Sequence, residues 1–349
     1  MREFSEAAEP WDVEAMQQRL DGLCKPPGSL GMIESIAARL CMTQRTCRPK
    51  TRPRHVTVFA ADHGVTCEGV TAWPSSVTGA VVNLMQQGRT ASGVFAGSLG
   101  CSYEVVDVGL LSPCGSTGGR LVDRSGRRGT GNLMREPAMD EAEFSHAWQA
   151  GVERAQIACD AGNQILMGGE MGIGNTTSAS CLIALLCDNE LVATESVETL
   201  VGPGAGIDDQ QLQHKRQVVR AAVDRVRGLG IQSPDQLACQ VGGFEIVALA
   251  GFFQHAAQRG RTVVVDGLIA TAAALLAQRM HPGTSDQMIA GHRSTEPGQT
   301  AALASLDLVP VLDLQMRLGE ATGALAALPL IDLAAAMIND MATLDELEL

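Results

Sequence analysis

Toward the end of the 349-residue chain stands MRLGEATGA (316–324), where one carboxylate, Glu320, sits among Gly319, Ala321, Thr322, Gly323 and Ala324 within a long apolar stretch. Side chains this small leave space beside the acid and do little to solvate it. A poorly solvated carboxylate holds its proton more tightly than usual, which suits a general base working on a weakly acidic N–H. The ordinary alternative is a helix position that faces water or pairs with Arg317, three residues earlier on the same face. Taken alone, the local residues favour that alternative.

A second stretch, GGEMGIGNTTSAS (168–180), ends a strand-like run, spaces three glycines after it and opens a helix with Asn175, Thr176 and Thr177. Free N–H groups and hydroxyls at a helix N-terminus favour an anion by about 0.3–1 kcal/mol. The pattern is neither a Walker loop nor a dinucleotide fingerprint. A phosphate site and a plain Thr-capped turn fit it equally well. Gly202, Gly204 and Gly206 make another glycine turn ahead of a helix carrying Lys215, a residue that by itself reads as solvated. In AGHRSTEPG (290–298), Ser294 fits either a phosphate donor or a helix cap before Pro297. Asp62 and His63 of AADHGV suggest acid–base or metal chemistry. Pinning a turn is the better reading, and no third ligand is spaced to complete a metal site.

These residues need elements to position them. Residues 1–50 read as helices, with apolar side chains at three- and four-residue intervals on both sides of the turn KPPGSLG, where Ser29 is the expected cap. Then come short β-branched runs at 55–60, 102–109, 163–170, 261–267 and 286–292, most of them leading into helical stretches. This alternation predicts an α/β fold, a mostly parallel, Rossmann-like sheet flanked by helices. In such sheets ligands bind beyond the carboxyl ends of the strands, where the residues above are placed. Residues 110–137, rich in Gly and Arg, read as an excursion loop or hairpin. From Pro297 onward the chain reads as helical, including PVLDLQMRLGEATGALAAL (310–328).

The totals narrow the function. At 45% hydrophobic and only 3% aromatic, the core is built from aliphatic and small side chains. A net charge of −13 with few aromatics argues against nucleic acid as a partner. The ten cysteines are scattered without a C-x-x-C pair, which reads as reduced thiols in a cytoplasmic protein. The chain opens without a basic n-region or apolar h-region, so no signal peptide is expected. The longest apolar run, from Gly267, is short of the roughly 20 residues a membrane span needs.

From KPPGSLG onward the chain resembles the nicotinate-nucleotide–dimethylbenzimidazole phosphoribosyltransferases. That motif is followed by ADHGV, VVDVG, GEMGIGNTT, GGFEIVALAG, VDGLIATAAAL, HRSTEPG, RLGEATGA and AAAMINDMATL, in the family's order across residues 25–344. The resemblance implies a large α/β domain at 51–300 and a small helical-bundle domain from both chain ends, 1–50 and 301–349, in a homodimer. It implies transfer of 5-phosphoribose from nicotinate mononucleotide to a nitrogen of 5,6-dimethylbenzimidazole or a related aromatic base, with nicotinate released and the anomeric carbon inverted from β to α. The product, α-ribazole 5′-phosphate, serves the lower ligand of cobalamin, and no cofactor or metal is called for.

The family's catalytic base falls on Glu320 and its second active-site glutamate on Glu170. Its phosphate and ribose positions match Gly172, Gly174, Asn175, Thr176, Thr177, Gly202, Gly204, Lys215 and Ser294. Its base pocket matches Met171, Leu318, Trp73 and Val81. Relatives more often carry Ser or Tyr where Trp73 stands and can carry Gln at Val81, so the indole alters the depth of the implied slot. Pro203 stands where many relatives have a basic residue. The rival readings are a nucleotide N-glycoside hydrolase, with water replacing the base, and a non-catalytic nucleotide-binding sensor. The retained Glu320 and Glu170 count against the sensor, which has no need of a desolvated base.

Overall fold

The computed structural model describes residues 11–115, 119–187, 197–204 and 206–347. Residues 1–10 of the expected N-terminal helical segment lie outside them. All five strand-like runs form strands: β1 (Arg54–Ala61), β2 (Ser102–Gly109), β4 (Ile165–Met171), β5 (Thr262–Val265) and β6 (Met288–Ala290). A sixth, β3 (Leu121–Asp123), falls inside the expected excursion loop and pairs parallel with β2, where a hairpin would pair antiparallel. The sheet is parallel throughout, in the order β3-β2-β1-β4-β5-β6. This is the α/β class expected from the alternation of strands and helices.

The strands read as nearly continuous apolar runs because both sheet faces are covered. Successive side chains point to opposite faces. Phe59, Val106, Leu166, Val263 and Val265 join the larger core, with α5 (Glu141–Asp160), α6 (Asn175–Leu186), α7 (Asp209–Arg227), α8 (Pro234–Val241), α9 (Phe244–Gln258), α10 (Leu268–Met280) and α11 (Gly298–Ser305). Val56, Val58, Ala60, Ile165, Met167 and Val264 join the other core. It is completed by α1 (Val13–Asp21), α2 (Met32–Gln44), α3 (Ser76–Met85), α4 (Ala91–Ser98) and α12 (Thr322–Asp340). The two chain ends meet there: Leu23 bridges Thr343, and the Arg19 guanidinium donates to Ile338 O.

Helix α12 is, among the described residues, long and apolar enough to cross a membrane, yet Ala324, Leu325, Leu328 and Ile331 are fully buried in this core. The turn before α2 is held by Glu34, whose carboxylate accepts from the N–H groups of Gly28 and Leu30, and not by the expected cap Ser29.

One expectation fails in a way that matters for the site. Residues 310–321 are not helical. Val311 and Leu312 donate to Ala290 O and Gly291 O, extending the edge of the sheet beyond β6. Gln315, Gly319, Glu320 and Ala321 then take positive φ, at 55°, 89°, 60° and 63°. Apolar spacing suggested a helix because it cannot register a partner strand edge or a left-handed turn.

Candidate active site

The strand order reverses between β1 and β4. The chain leaves β1 toward one side of the sheet and β4 toward the other, which opens a crevice at their carboxyl ends. A cavity of about 470 Å³ lies there. Its floor is the end of β4, Glu170 and Met171, followed by Gly172, Gly174 and the first residues of α6, Asn175 and Thr176. Across from them stand Gly204, Lys215 and Ser294, and Trp73 and Leu318 flank the mouth. Residues from separate stretches of the sequence therefore converge on one space.

Four expected residues do not line it. Thr177 is fully buried behind the first turn of α6. Gly202 lies one layer back, its carbonyl accepting from Lys215 Nζ at 3.1 Å. Val81, on α3, packs half-buried into the second core. Glu320 stands beside the wall formed by Gly319 and Leu318, only 7% exposed, and its Oε2 accepts from the Ser92 hydroxyl at 3.1 Å. Arg317 turns away from it and donates to Gly204 O at 3.4 Å. The Arg317 pairing favoured by local spacing is thus replaced by a hydrogen bond from α4.

Glu170 stands between the turn that carries Glu320 and the α6 end of the cavity. Asn175 Nδ2 donates to Glu170 Oε2, and a side chain at Gly319 would collide with Glu170 Oε1. Just below, a Cβ on Gly169 would lie 2.5 Å from Ala321 N, so the strand backbone touches the turn directly. The turn is capped from outside: Asp266 Oδ1, after β5, accepts from the N–H groups of Gly323 and Ala324 at 2.7 and 3.2 Å. Left-handed backbone at two non-glycine residues costs roughly 1–3 kcal/mol each and persists only where surroundings over-determine it. Here Gly169 and Asp266 do so.

The electrostatics follow from burial. Glu170 is pushed up to about 8, first by burial, then by the charges of Glu245 and Asp266, against the Asn175 hydrogen bond. Burial also raises Glu320, opposed by hydrogen bonds from Ser92 and Thr90. Lys215 is almost wholly buried, and that burial pulls its ammonium down to about 8 against the pull of Glu296. It donates to Thr176 Oγ1 at 2.8 Å, which aims it at the start of α6.

Sequence reasoning passed over Glu296 and Glu245 here and read His63 as part of a pinned turn. Glu296 lines the cavity and accepts from Gly204 N at 2.7 Å, setting the glycine turn opposite α6. His63 and Glu245, fully buried, share a hydrogen bond of 2.6 Å beneath Gly172. Asp62 does pin a turn, accepting from Leu111 N at 2.8 Å, but its neighbour His63 belongs to the site's foundation. The signal for Glu245 was present: a lone acid inside the apolar FEIVALAG, the same kind of signal that drew attention to Glu320. Among the described residues no three His, Cys, Asp or Glu side chains converge as a metal cradle.

Comparison with known proteins accords with this geometry. A family model described as Phosphoribosyltransferase matches residues 6–348. The chain is 42% identical over 343 residues to the nicotinate-nucleotide–dimethylbenzimidazole phosphoribosyltransferase of Chromobacterium violaceum, covering 97% of each chain. It is likewise 42% identical to the Pseudomonas putida protein of that name, covering 98% of this chain and 96% of the relative. The crystal structure of CobT from Thermus thermophilus superposes with a TM-score of 0.89 at 41% identity, covering 96% of this chain and 98% of that one. The chain belongs to the nicotinate-nucleotide–dimethylbenzimidazole phosphoribosyltransferase family.

Proposed function

We propose that the protein moves 5-phosphoribose from nicotinate mononucleotide to 5,6-dimethylbenzimidazole or a related aromatic base, yielding nicotinate and α-ribazole 5′-phosphate for cobalamin. The observation that carries this reading is a buried carboxylate of raised pKa, Glu320, in a turn that packs against Glu170, which in turn holds Asn175 at the N-terminus of α6. The first is what proton removal from a benzimidazole needs, and the second is what a phosphate needs.

In this reading the phosphate sits against Gly172, Gly174 and the start of α6, where Asn175 is followed by the N–H and hydroxyl of Thr176, with Thr177 behind them. Lys215 and Ser294 close on it, and Gly202 and Gly204 approach from the facing turn. The aromatic base lies between Met171 and Leu318, with Trp73 at the mouth and Val81 behind. One base nitrogen attacks C1′ from the face opposite the departing nicotinate while the other loses its proton to Glu320, so the configuration inverts. Nicotinate leaves from a pyridinium and is already activated. Glu170, pushed up to about 8 chiefly by burial, favours its neutral form near neutral pH, which eases the charge beside Glu320. Most of the acceleration then comes from alignment and a smaller part from the base.

A cytoplasmic homodimer completes the proposal. The buried Cys41, Cys159, Cys181 and Cys239 are thiols rather than disulfides. Trp73 and Leu318, at 53% and 59% exposure, leave apolar surface at the cavity that a second copy would cover. The test is turnover with nicotinate mononucleotide and a panel of aromatic bases, product mass included. Nicotinate release at full rate without any base would mean that water is the acceptor and the protein a hydrolase.

A further inference from the structure

We infer that Ser92, backed by Tyr103, positions Glu320 and keeps its carboxylate ionised, a role that rests on the reading of Glu320 as the base. The two residues are 228 positions apart, Ser92 in the first turn of α4 and Glu320 in the turn before α12. The Ser92 hydroxyl donates to Glu320 Oε2 at 3.1 Å, and both side chains are buried. The Tyr103 hydroxyl, projecting from β2, lies 3.0 Å behind Ser92 Oγ, and the Thr90 hydroxyl lies 3.1 Å from it. A hydroxyl has one proton and two lone pairs. With the Ser92 proton given to the carboxylate, Tyr103 has to donate into Ser92 Oγ. The chain of donors therefore runs one way, from the sheet through α4 to Glu320.

The helix helps. Thr90, just before α4, makes no capping bond to its own helix. The Ser92 N–H and the Thr90 hydroxyl instead favour the charged form of Glu320. The groups around Glu320 divide by sign. Neutral donors come from α4 and β2: Ser92, Thr90 and Tyr103, the last with the Arg120 cation acting on it. Acids come from β4 and the end of β5: Glu170, and Asp266 backed by His292 at 3.4 Å. Burial and Asp266 favour the neutral acid, and the Ser92 hydroxyl is the largest single influence the other way. A neutral Glu320 cannot take a proton, so loss of the Ser92 hydroxyl leaves a base that is switched off at low pH.

The test is the pH dependence of kcat for the full-length enzyme and for Ser92→Ala, Ser92→Thr, Tyr103→Phe and Glu320→Gln, with nicotinate mononucleotide and dimethylbenzimidazole. In Ser92→Ala the acid limb should move up by about one pH unit, roughly a tenfold loss below the limb that shrinks as pH rises. Ser92→Thr, which keeps a hydroxyl, should restore the limb, and Tyr103→Phe should move it part of the way. An unmoved limb in Ser92→Ala, or a loss uniform across pH such as a merely structural residue would give, overturns the inference. Glu320→Gln separates the two readings. Wild-type turnover in that variant removes the base assignment itself, whereas an inactive Glu320→Gln beside an unmoved Ser92→Ala limb overturns only the role of Ser92.

Discussion

Three carboxylates, Glu170, Asp266 and Glu320, share one buried space, and their neighbours part them. Asp266 directs its charge at two backbone N–H groups. Glu170 has a single amide donor and three acidic neighbours, Glu245, Asp266 and Glu320, and is driven toward its neutral form. Glu320 has hydroxyl donors that oppose its burial. Environments that push like groups apart are how one site holds both an acid and a base. Glu320→Gln keeps the shape and removes the proton acceptor. It should lower kcat by about 10²–10⁴ while leaving nucleotide affinity unchanged, which steady-state rates and calorimetric titration with nicotinate mononucleotide together check. Trp73 stands at the mouth, where an indole narrows the slot. Trp73→Ser should raise the rate with bulkier bases relative to dimethylbenzimidazole, and equal ratios across a base panel would remove it from acceptor choice.

At the scale of elements, strand β4 does three jobs within three residues. Gly168 is a buried member of the sheet ladder, paired with Thr57 and Val265. Gly169 carries the turn of Glu320, and Glu170 reaches Asn175 of α6. The turn itself is left-handed for three residues running and is clamped between Gly169 and Asp266. A methyl group on Gly169 would push the Glu320 backbone outward, since its nearest neighbours are backbone atoms with nowhere to rotate. Gly169→Ala should therefore cost about 10²-fold in kcat through misplacement of the base, on the order expected for a shift near 1 Å. The destabilisation should be about 1–3 kcal/mol, and a urea melt beside the rate measurement separates the two effects.

Over the whole molecule, a site at the switch point between β1 and β4 requires both sheet faces to be covered. The chain achieves this by returning its C-terminal helix to the face that its N-terminal helices occupy. The buried acids weaken that arrangement in a pH-dependent way. Glu170 has an ordinary value of 4.5 when unfolded and about 8 when folded. Between those values the native state binds a proton that the unfolded chain has released, so this group's contribution to stability falls as pH rises through the window. Glu170→Gln cannot ionise. Its unfolding free energy should track wild type near pH 4 and exceed it progressively toward pH 8, as read from urea melts at several pH values. Parallel curves for the two proteins would show that Glu170 is not held neutral.

Much of this was legible in the residues alone. Strand runs at 55–60, 102–109 and 261–267 announced themselves because parallel strands buried on two faces need unbroken β-branched stretches. The Asn175-Thr176-Thr177 helix start and the lone acid at Glu320 were visible because small residues around a polar one leave a local mark. Tertiary structure alone decided the rest. The pairing of β1 with β4 and the partners His63–Glu245, Gly204–Glu296 and Ser92–Glu320 join residues 92 to 228 positions apart, and the extended path at 310–321 depends on a strand edge at Ala290 and Gly291 and on the close approach of Gly169. Local propensity and spacing report on a residue's immediate neighbours along the chain. A carboxylate's protonation is set instead by whichever dipoles and charges the fold brings beside it, and those come from distant segments.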